Sequence, residues 1–113
     1  MPTPDDFRRI ALSFPGSEEG SHMGHTDFRV GGKIFASLGS PDEAWGMASL
    51  MPEQQADFMA LAPEAFKPAA GAWGRGGSTL VRLEAVSEEL LETALAAAWR
   101  KRAPRKMSAG YPL

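Results

Sequence analysis

Two adjacent glycines, Gly31 and Gly32, separate two short apolar runs and constrain strongly what this chain can fold into. The stretch from 27 to 38 reads Asp-Phe-Arg-Val-Gly-Gly-Lys-Ile-Phe-Ala-Ser-Leu. Because glycine adopts positive φ without steric cost, a Gly-Gly pair in this setting predicts a two-residue β-hairpin turn. Strand alternation predicts shared faces for Phe28 with Val30, and for Ile34 with Ala36 and Leu38.

Helix signals lie near both ends of the chain. Thr3 and Pro4, followed by two acids, are typical of a helix start, and Pro15-Gly16 ends that helix. Ser87 caps a last helix that ends near Arg102, before Pro104. Apolar residues at helical spacing predict two core-facing stripes: Phe7, Ile10, Ala11 and Phe14 in the first helix, and Leu91, Ala94, Leu95 and Ala98 in the last.

The middle of the chain predicts two more strands, over 44–50 and 78–86. The first has one face of small residues, including Gly46, which allows a helix or a partner to approach closely, and the alternative is that Gly46 marks a bulge. A helix from Pro52 is expected to carry Phe58, Leu61 and Ala62 inward, and a short helical turn should follow over 63–66. Residues 17–24 read as a polar connection, and 69–77 as a flexible glycine-rich loop. We therefore expect an α+β domain, with an antiparallel sheet of about four strands covered on one face by the N- and C-terminal helices.

Composition limits the functional classes. The chain has 113 residues, with 43% apolar and 23% charged, which suits one globular domain. The absence of cysteine excludes disulfides, thiolate zinc sites and a cysteine nucleophile. With no leader-like start and no long apolar run, we expect a cytoplasmic protein that does not enter a membrane. The predicted division is a domain over 1–103 and a flexible basic tail over 104–113.

Charge is distributed unevenly along the chain. Residues 1–99 contain all 14 acids and seven bases, whereas residues 100–113 contain five bases and no acid. Such a tail is typical of an arm for nucleic acid or another acidic partner. The alternative is a solubilising tail with bases that favour a helix C-terminus.

Several segments in this order resemble the MmcQ/YjbR-like family. They are Phe14-Pro15-Gly16, the hairpin from Asp27 to Ala36, Trp73-Gly74 ahead of Thr79-Leu80-Val81, and a closing helix from Leu90 to Trp99. The resemblance covers residues 3 to about 102 and departs at Ser78, where members often carry an aromatic residue. It implies a small bacterial α+β domain with a DNA-binding role.

The residues themselves allow a nucleic-acid interface. Bases beside the hairpin turn can meet phosphates, a Trp in a glycine-rich segment can stack on a base, and basic residues near the C-terminus can neutralise several phosphates. The candidate contacts are Arg29, Lys33, Trp73, Arg75, Arg100, Lys101, Arg102, Arg105 and Lys106. The acidic remainder of the chain opposes DNA binding unless these bases gather on one side.

A non-enzymatic protein-interaction or small-ligand module stays open as the alternative. Large apolar residues near loops favour it, because aromatics and Met are enriched at partner surfaces and pockets. His22, His25 and Asp27 are metal-ligand types, but they lack further ligands, and capping or hydrogen bonding is the simpler role. Neither a catalytic constellation nor a phosphate-binding glycine loop is visible, so we expect no enzyme activity and no cofactor. A monomer and a homodimer fit both readings.

Overall fold

The computed structural model describes residues 2–39 and 41–109. The helices are α1 (Pro4–Leu12), α2 (Pro52–Leu61), α3 (Gly71–Arg75), α4 (Glu88–Arg102) and α5 (Arg105–Ser108). The strands are β1 (Glu18–His22), β2 (His25–Val30), β3 (Lys33–Leu38), β4 (Trp45–Ser49), β5 (Phe66–Pro68) and β6 (Ser78–Arg82). All six strands form one antiparallel sheet in the order β1-β2-β3-β4-β6-β5. The predicted α+β class is confirmed, with more strands than expected.

The predicted Gly-Gly hairpin joins β2 to β3. Gly31 and Gly32 have φ values of 59° and 79°, the left-handed conformations that a tight hairpin turn of this hand requires. A second hairpin joins β1 to β2 through Met23 and Gly24, which also have positive φ. These two turns make β1, β2 and β3 a continuous meander.

Helices α1 and α4 cover one face of the sheet, as predicted. In α1, Thr3 and Asp6 form a reciprocal capping box, and the Ser87 hydroxyl accepts from Leu90 N at the start of α4. Both predicted apolar stripes are buried, and Trp99 is added to them: its Nε1 donates to Pro15 O at 2.9 Å. The N- and C-terminal helices therefore close the core over the sheet.

The small face of β4 is where α1 meets the sheet. A Cβ added at Gly46 would lie 2.5 Å from Cε2 of Phe7, whose side chain is fully buried. The glycine is thus required by close helix–sheet packing, which is one of the two roles that the sequence allowed.

A β-bulge overturns the predicted face pattern of β3. Phe28 pairs with Ala36 but Arg29 pairs with Ile34, so one extra residue, Phe35, is accommodated on β3. Phe35 and Ala36 both belong to the core, while Ile34 turns to the opposite face of the sheet. The expectation that Ile34 and Ala36 share a face was therefore wrong.

Four other local predictions were wrong in whole or in part. The expected polar connection contains the edge strand β1. The expected helical turn over 63–66 is present, with Phe66 N donating to Ala62 O, but Phe66 already begins the edge strand β5. The expected loop over 69–77 contains α3. Leu61 was expected to point inward but is 71% exposed, whereas Phe58 and Ala62 are buried.

The basic C-terminal segment continues along the domain. It forms α5 after Pro104, and Met107 packs against the core. Pro104 also lies against the hairpin turn, because a Cβ added at Gly31 would be 3.1 Å from its Cδ. The division at residue 103 stays a prediction, and residues 110–113 of the predicted tail lie outside the described residues.

Candidate nucleic-acid interface

The sheet face opposite α1 and α4 forms an open groove of about 650 Å³, which we call the basic groove. Its floor consists of Ile34, Ser37, Met47, Ser49 and Leu80 from the central strands. Its polar and aromatic lining consists of His22, His25, Arg29, Lys33, Trp73, Ser78 and Arg102. In the part of the chain that the structure describes, no Asp or Glu side chain lines it. The groove thus combines an apolar floor with a cationic rim.

Arg29 is fixed at this groove by a buried carboxylate. The Asp27 side chain is fully buried and accepts from Arg29 Nε at 2.8 Å and Nη2 at 3.1 Å. The Asp27 Oδ2 atom also lies 2.8 Å from His22 Nδ1. The hydrogen bond from Arg29, aided by that from His22, lowers the pKa of Asp27 and outweighs the effect of burial. Because the Arg29 side chain remains 39% exposed, its guanidinium is both oriented and accessible.

Gly20 on β1 makes room for this cluster. A Cβ there would lie 2.9 Å from Asp27 Oδ1 and 3.2 Å from Arg29 Nε. Strand β1, which the sequence did not predict, therefore places Gly20 over the Asp27–Arg29 ion pair. Asp27 balances much of the Arg29 charge, so Lys33 and Arg102 supply most of the net positive charge of the groove.

Arg102 enters the groove from the C-terminal end of α4. Its Nη2 donates to Ser49 Oγ at 3.0 Å, and its Nε is buried with no hydrogen-bond partner in the described structure. The neighbouring Lys101 instead donates from Nζ to Leu50 O at 2.8 Å. Burial, with the nearby charge of Arg102, lowers the pKa of Lys101. Only one of these two predicted contacts therefore lines the groove.

Trp73 projects from α3 at the β6 side of the groove and is 78% exposed. Its helix is held by the Gln55 amide, whose Nε2 donates to Gly74 O, Ser78 O and Thr79 Oγ1, each at 3.1 Å. Gly74 packs tightly against Ala69, since a Cβ would lie 1.9 Å from the Ala69 carbonyl oxygen. The exposed indole of Trp73 is thus attached to a backbone segment that Gln55 and Ala69 hold in place.

The other predicted contacts lie outside the basic groove. Arg75 is exposed on α3, and Arg105 and Lys106 are exposed on α5. Arg100 faces a separate recess beside α4 that also includes Glu89 and Glu92. The fold therefore brings Arg29, Lys33, Trp73 and Arg102 together, and leaves Arg75, Arg100, Lys101, Arg105 and Lys106 apart from them.

Sequence reasoning missed Gln55 and the apolar floor. The floor residues on β4 and β6 alternate with core residues, and such alternation can be recognised in a sequence. The β-bulge that turns Ile34 toward the groove cannot be recognised in this way. The Asp27–Arg29 pair was also readable, since residues two apart on a strand share a face. The structure groups no three His, Asp or Glu side chains for a metal ion within residues 2–39 and 41–109.

Comparison with known proteins establishes the family. A sequence model of the YjbR family matches residues 12–101. The chain belongs to the YjbR family. The predicted resemblance is therefore confirmed, and the matched YjbR region contains Arg29, Lys33 and Trp73 but stops one residue before Arg102.

A solved structure supports the YjbR fold. The crystal structure of the Deinococcus radiodurans protein DR2400, with domain DUF419, is similar with a TM-score of 0.73 and 21% identity. The similarity covers 89% of this chain and 78% of that one. No curated protein matches the chain. Within the described residues, no helix is long and apolar enough to cross a membrane.

Proposed function

We propose that this YjbR-family protein is a DNA-binding protein that uses the basic groove, and that it acts by binding rather than by catalysis. The observation that carries this proposal is the charge of the groove: Arg29, Lys33 and Arg102 line it, and no described acid does. In a chain with a net charge of −2, this clustering separates the cations from the acidic surface. A phosphate backbone is the polyanion that such a row of bases fits.

The groove also explains how an acidic protein approaches DNA. Charges separated by more than about 10 Å are largely screened at about 0.1 M salt, so the local sign of a surface matters more than the net charge. A recess lined by one sign of charge concentrates counter-ions of the other sign. The acids on other surfaces then oppose binding less than the total charge suggests.

The test is fluorescence anisotropy of a labelled random-sequence DNA, as duplex and as separated strand, between about 50 and about 200 mM salt. Lys33→Gln removes an exposed groove charge without breaking a described contact. It should weaken binding and make the slope of log K against log salt shallower by about 0.7 for a single strand or 0.9 for a duplex.

Arg75→Gln is the matched control, because Arg75 is an exposed base outside the groove. It should change affinity and salt slope less than Lys33→Gln does. Equal effects of the two substitutions would show that only the overall charge matters. Absence of binding to either form of DNA at low salt would refute the proposal.

A small anionic ligand is the second candidate, and the groove volume favours it. About 650 Å³ with an apolar floor falls within the usual range of small-molecule sites. Affinity for DNA that does not change with oligonucleotide length, from a dinucleotide upward, would indicate this alternative. Affinity that rises with oligonucleotide length would favour DNA over a small anionic ligand.

A further inference from the structure

We infer that the DNA bound in the basic groove is single-stranded, with an unpaired base stacked on Trp73 and the backbone phosphates on Lys33 and Arg102. This inference rests on the proposed function and specifies its ligand. It follows from three features of the groove: the apolar floor, the fixed exposed indole and the cations that line the groove beside them.

The floor is suited to bases rather than to phosphates. Ile34, Met47 and Leu80 form an apolar surface between the cationic rim residues. In a duplex the base faces are stacked on one another and the phosphates lie outside, so an apolar floor gains nothing from it. In a single strand the base faces are free to cover apolar surface while the phosphates meet the rim.

Trp73 supplies a stacking platform. A solvent-exposed indole forgoes the free energy that its burial would provide, and a stacked base recovers part of it. The Gln55 amide and the close Gly74–Ala69 contact fix the helix that carries the indole. Binding a base there requires little ordering of the protein, which preserves affinity.

Two cations of different exposure line the groove, since Lys33 is exposed at its rim and Arg102 is partly buried. Lys33 begins β3 beside the hairpin turn, and Arg102 reaches Ser49 on the groove floor. A protein that reads a DNA duplex inserts a helix or a two-stranded ribbon into the major groove of the DNA. Here the protein has a concave surface instead, so the nucleic acid would have to enter the protein. The Arg102 guanidinium has five N–H groups, and its described hydrogen bond to Ser49 Oγ uses one of those on Nη2, so donors on Nη1 and Nη2 are left for a phosphate oxygen.

The experiment compares a labelled 12-nucleotide oligo(dT), the dA·dT duplex of the same length and oligo(U), using the wild-type chain and Trp73→Ala. We expect oligo(dT) to bind at least tenfold more tightly than the duplex. Trp73→Ala should weaken oligo(dT) binding roughly tenfold, because a base–aromatic stack carries that order of affinity. Trp73→Phe should retain most of the affinity, and neither substitution should change duplex binding by more than about twofold.

The outcomes separate this inference from the proposed function. Tighter binding of the duplex, or an equal effect of Trp73→Ala on both DNA forms, overturns the single-strand inference. If Lys33→Gln still weakens duplex binding, DNA binding by the groove survives that result. A preference of at least tenfold for oligo(U) over oligo(dT) overturns DNA as the ligand. Because Trp73 is exposed, both substitutions should leave the unfolding midpoint in urea nearly unchanged.

Discussion

At the scale of single residues, Asp27 determines how the groove is charged. It is a fully buried carboxylate whose three hydrogen bonds come from Arg29 and His22. A buried charge is tolerated only when it is paired and hydrogen-bonded, so these partners are conditions for its burial. The same contacts orient Arg29 toward the basic groove.

The lowered pKa of Asp27 gives the domain a pH-dependent stability. Its pKa is lower in the folded chain than the value of about 3.9 expected when unfolded, so its stabilisation is complete above that value. That contribution is lost as the pH falls through the folded pKa. Asp27→Asn should lower the free energy of unfolding by about 1–3 kcal/mol at pH 7. This difference between the wild-type chain and the variant should become smaller below about pH 4.

Urea unfolding at a series of pH values measures this difference. Asp57→Asn, at an exposed position of α2, is the control and should have a smaller effect at neutral pH. A deficit of Asp27→Asn that stays constant from neutral to acid pH would contradict the assigned role of the carboxylate.

At the scale of elements, α3 depends on a side chain from α2. Gln55 satisfies two carbonyl groups and one hydroxyl of the segment around α3, and Thr79 Oγ1 in turn donates to Gly77 O at 2.8 Å. Removing the amide leaves Gly74 O and Ser78 O with only their backbone donors, Gly77 N and Ala69 N, and breaks the side-chain link between α2 and this segment. The position of Trp73 in the groove thus rests on a contact nearly twenty residues away in the chain.

Gln55→Leu should destabilise the α3 region while leaving the helices of the core in place. We expect a loss of about 1–3 kcal/mol, together with faster hydrogen exchange of the Gly76 and Gly77 amides, which close α3. Gln54→Leu is the matched control, because the hydrogen bond that Gln54 makes within the described residues is local, accepted from Met51 N at the start of α2. If both substitutions accelerate exchange at Gly76 equally, Gln55 has no special role in holding α3.

The elements that the sequence predicted are those with strong periodic or turn signals. Both capped amphipathic helices and the Gly31-Gly32 turn were predicted because local chemistry and burial agree there. Strand β1 was missed because an edge strand with both faces largely exposed carries no apolar alternation. Helix α3 was missed because its stability comes from Gln55, a tertiary contact that overrides glycine-rich composition.

The candidate site was predictable only in part for similar reasons. Arg29 and Lys33 were identified from their place beside a readable turn, and Trp73 from its glycine-rich setting. That Arg102 lies in the groove while Lys101 bonds to Leu50 O depends on the exact rotation of α4 at its end. Such a distinction between neighbours in sequence is set by packing and not by composition.

At the scale of the whole molecule, charge is separated by surface as well as along the chain. The basic groove lies on one sheet face, while α5 carries two further bases at the C-terminal side. Met107 in the same helix packs against the core, so deleting the tail removes packing together with charge. The charges of α5 are therefore best tested by substitution.

The double variant Arg105→Gln/Lys106→Gln should weaken DNA binding less than the single variant Lys33→Gln, because its bases lie outside the groove. Anisotropy titrations at low salt measure this, and urea unfolding should show that the double variant keeps its stability. A larger loss of affinity than that of Lys33→Gln would mean that α5 is a principal phosphate-binding element.

The strand order has a consequence for the way the domain assembles. Strands β1, β2 and β3 each pair with the next strand in the chain, whereas β4 pairs with β6, and α2, β5 and α3 lie between these two strands in the sequence. Closing that longer loop costs more chain entropy than forming successive hairpins, so we expect the four-stranded meander to form first. The floor of the groove on β3 and β4 then belongs to the early part of the fold. We expect α3, which carries Trp73, to dock late in folding and to open first in the native protein.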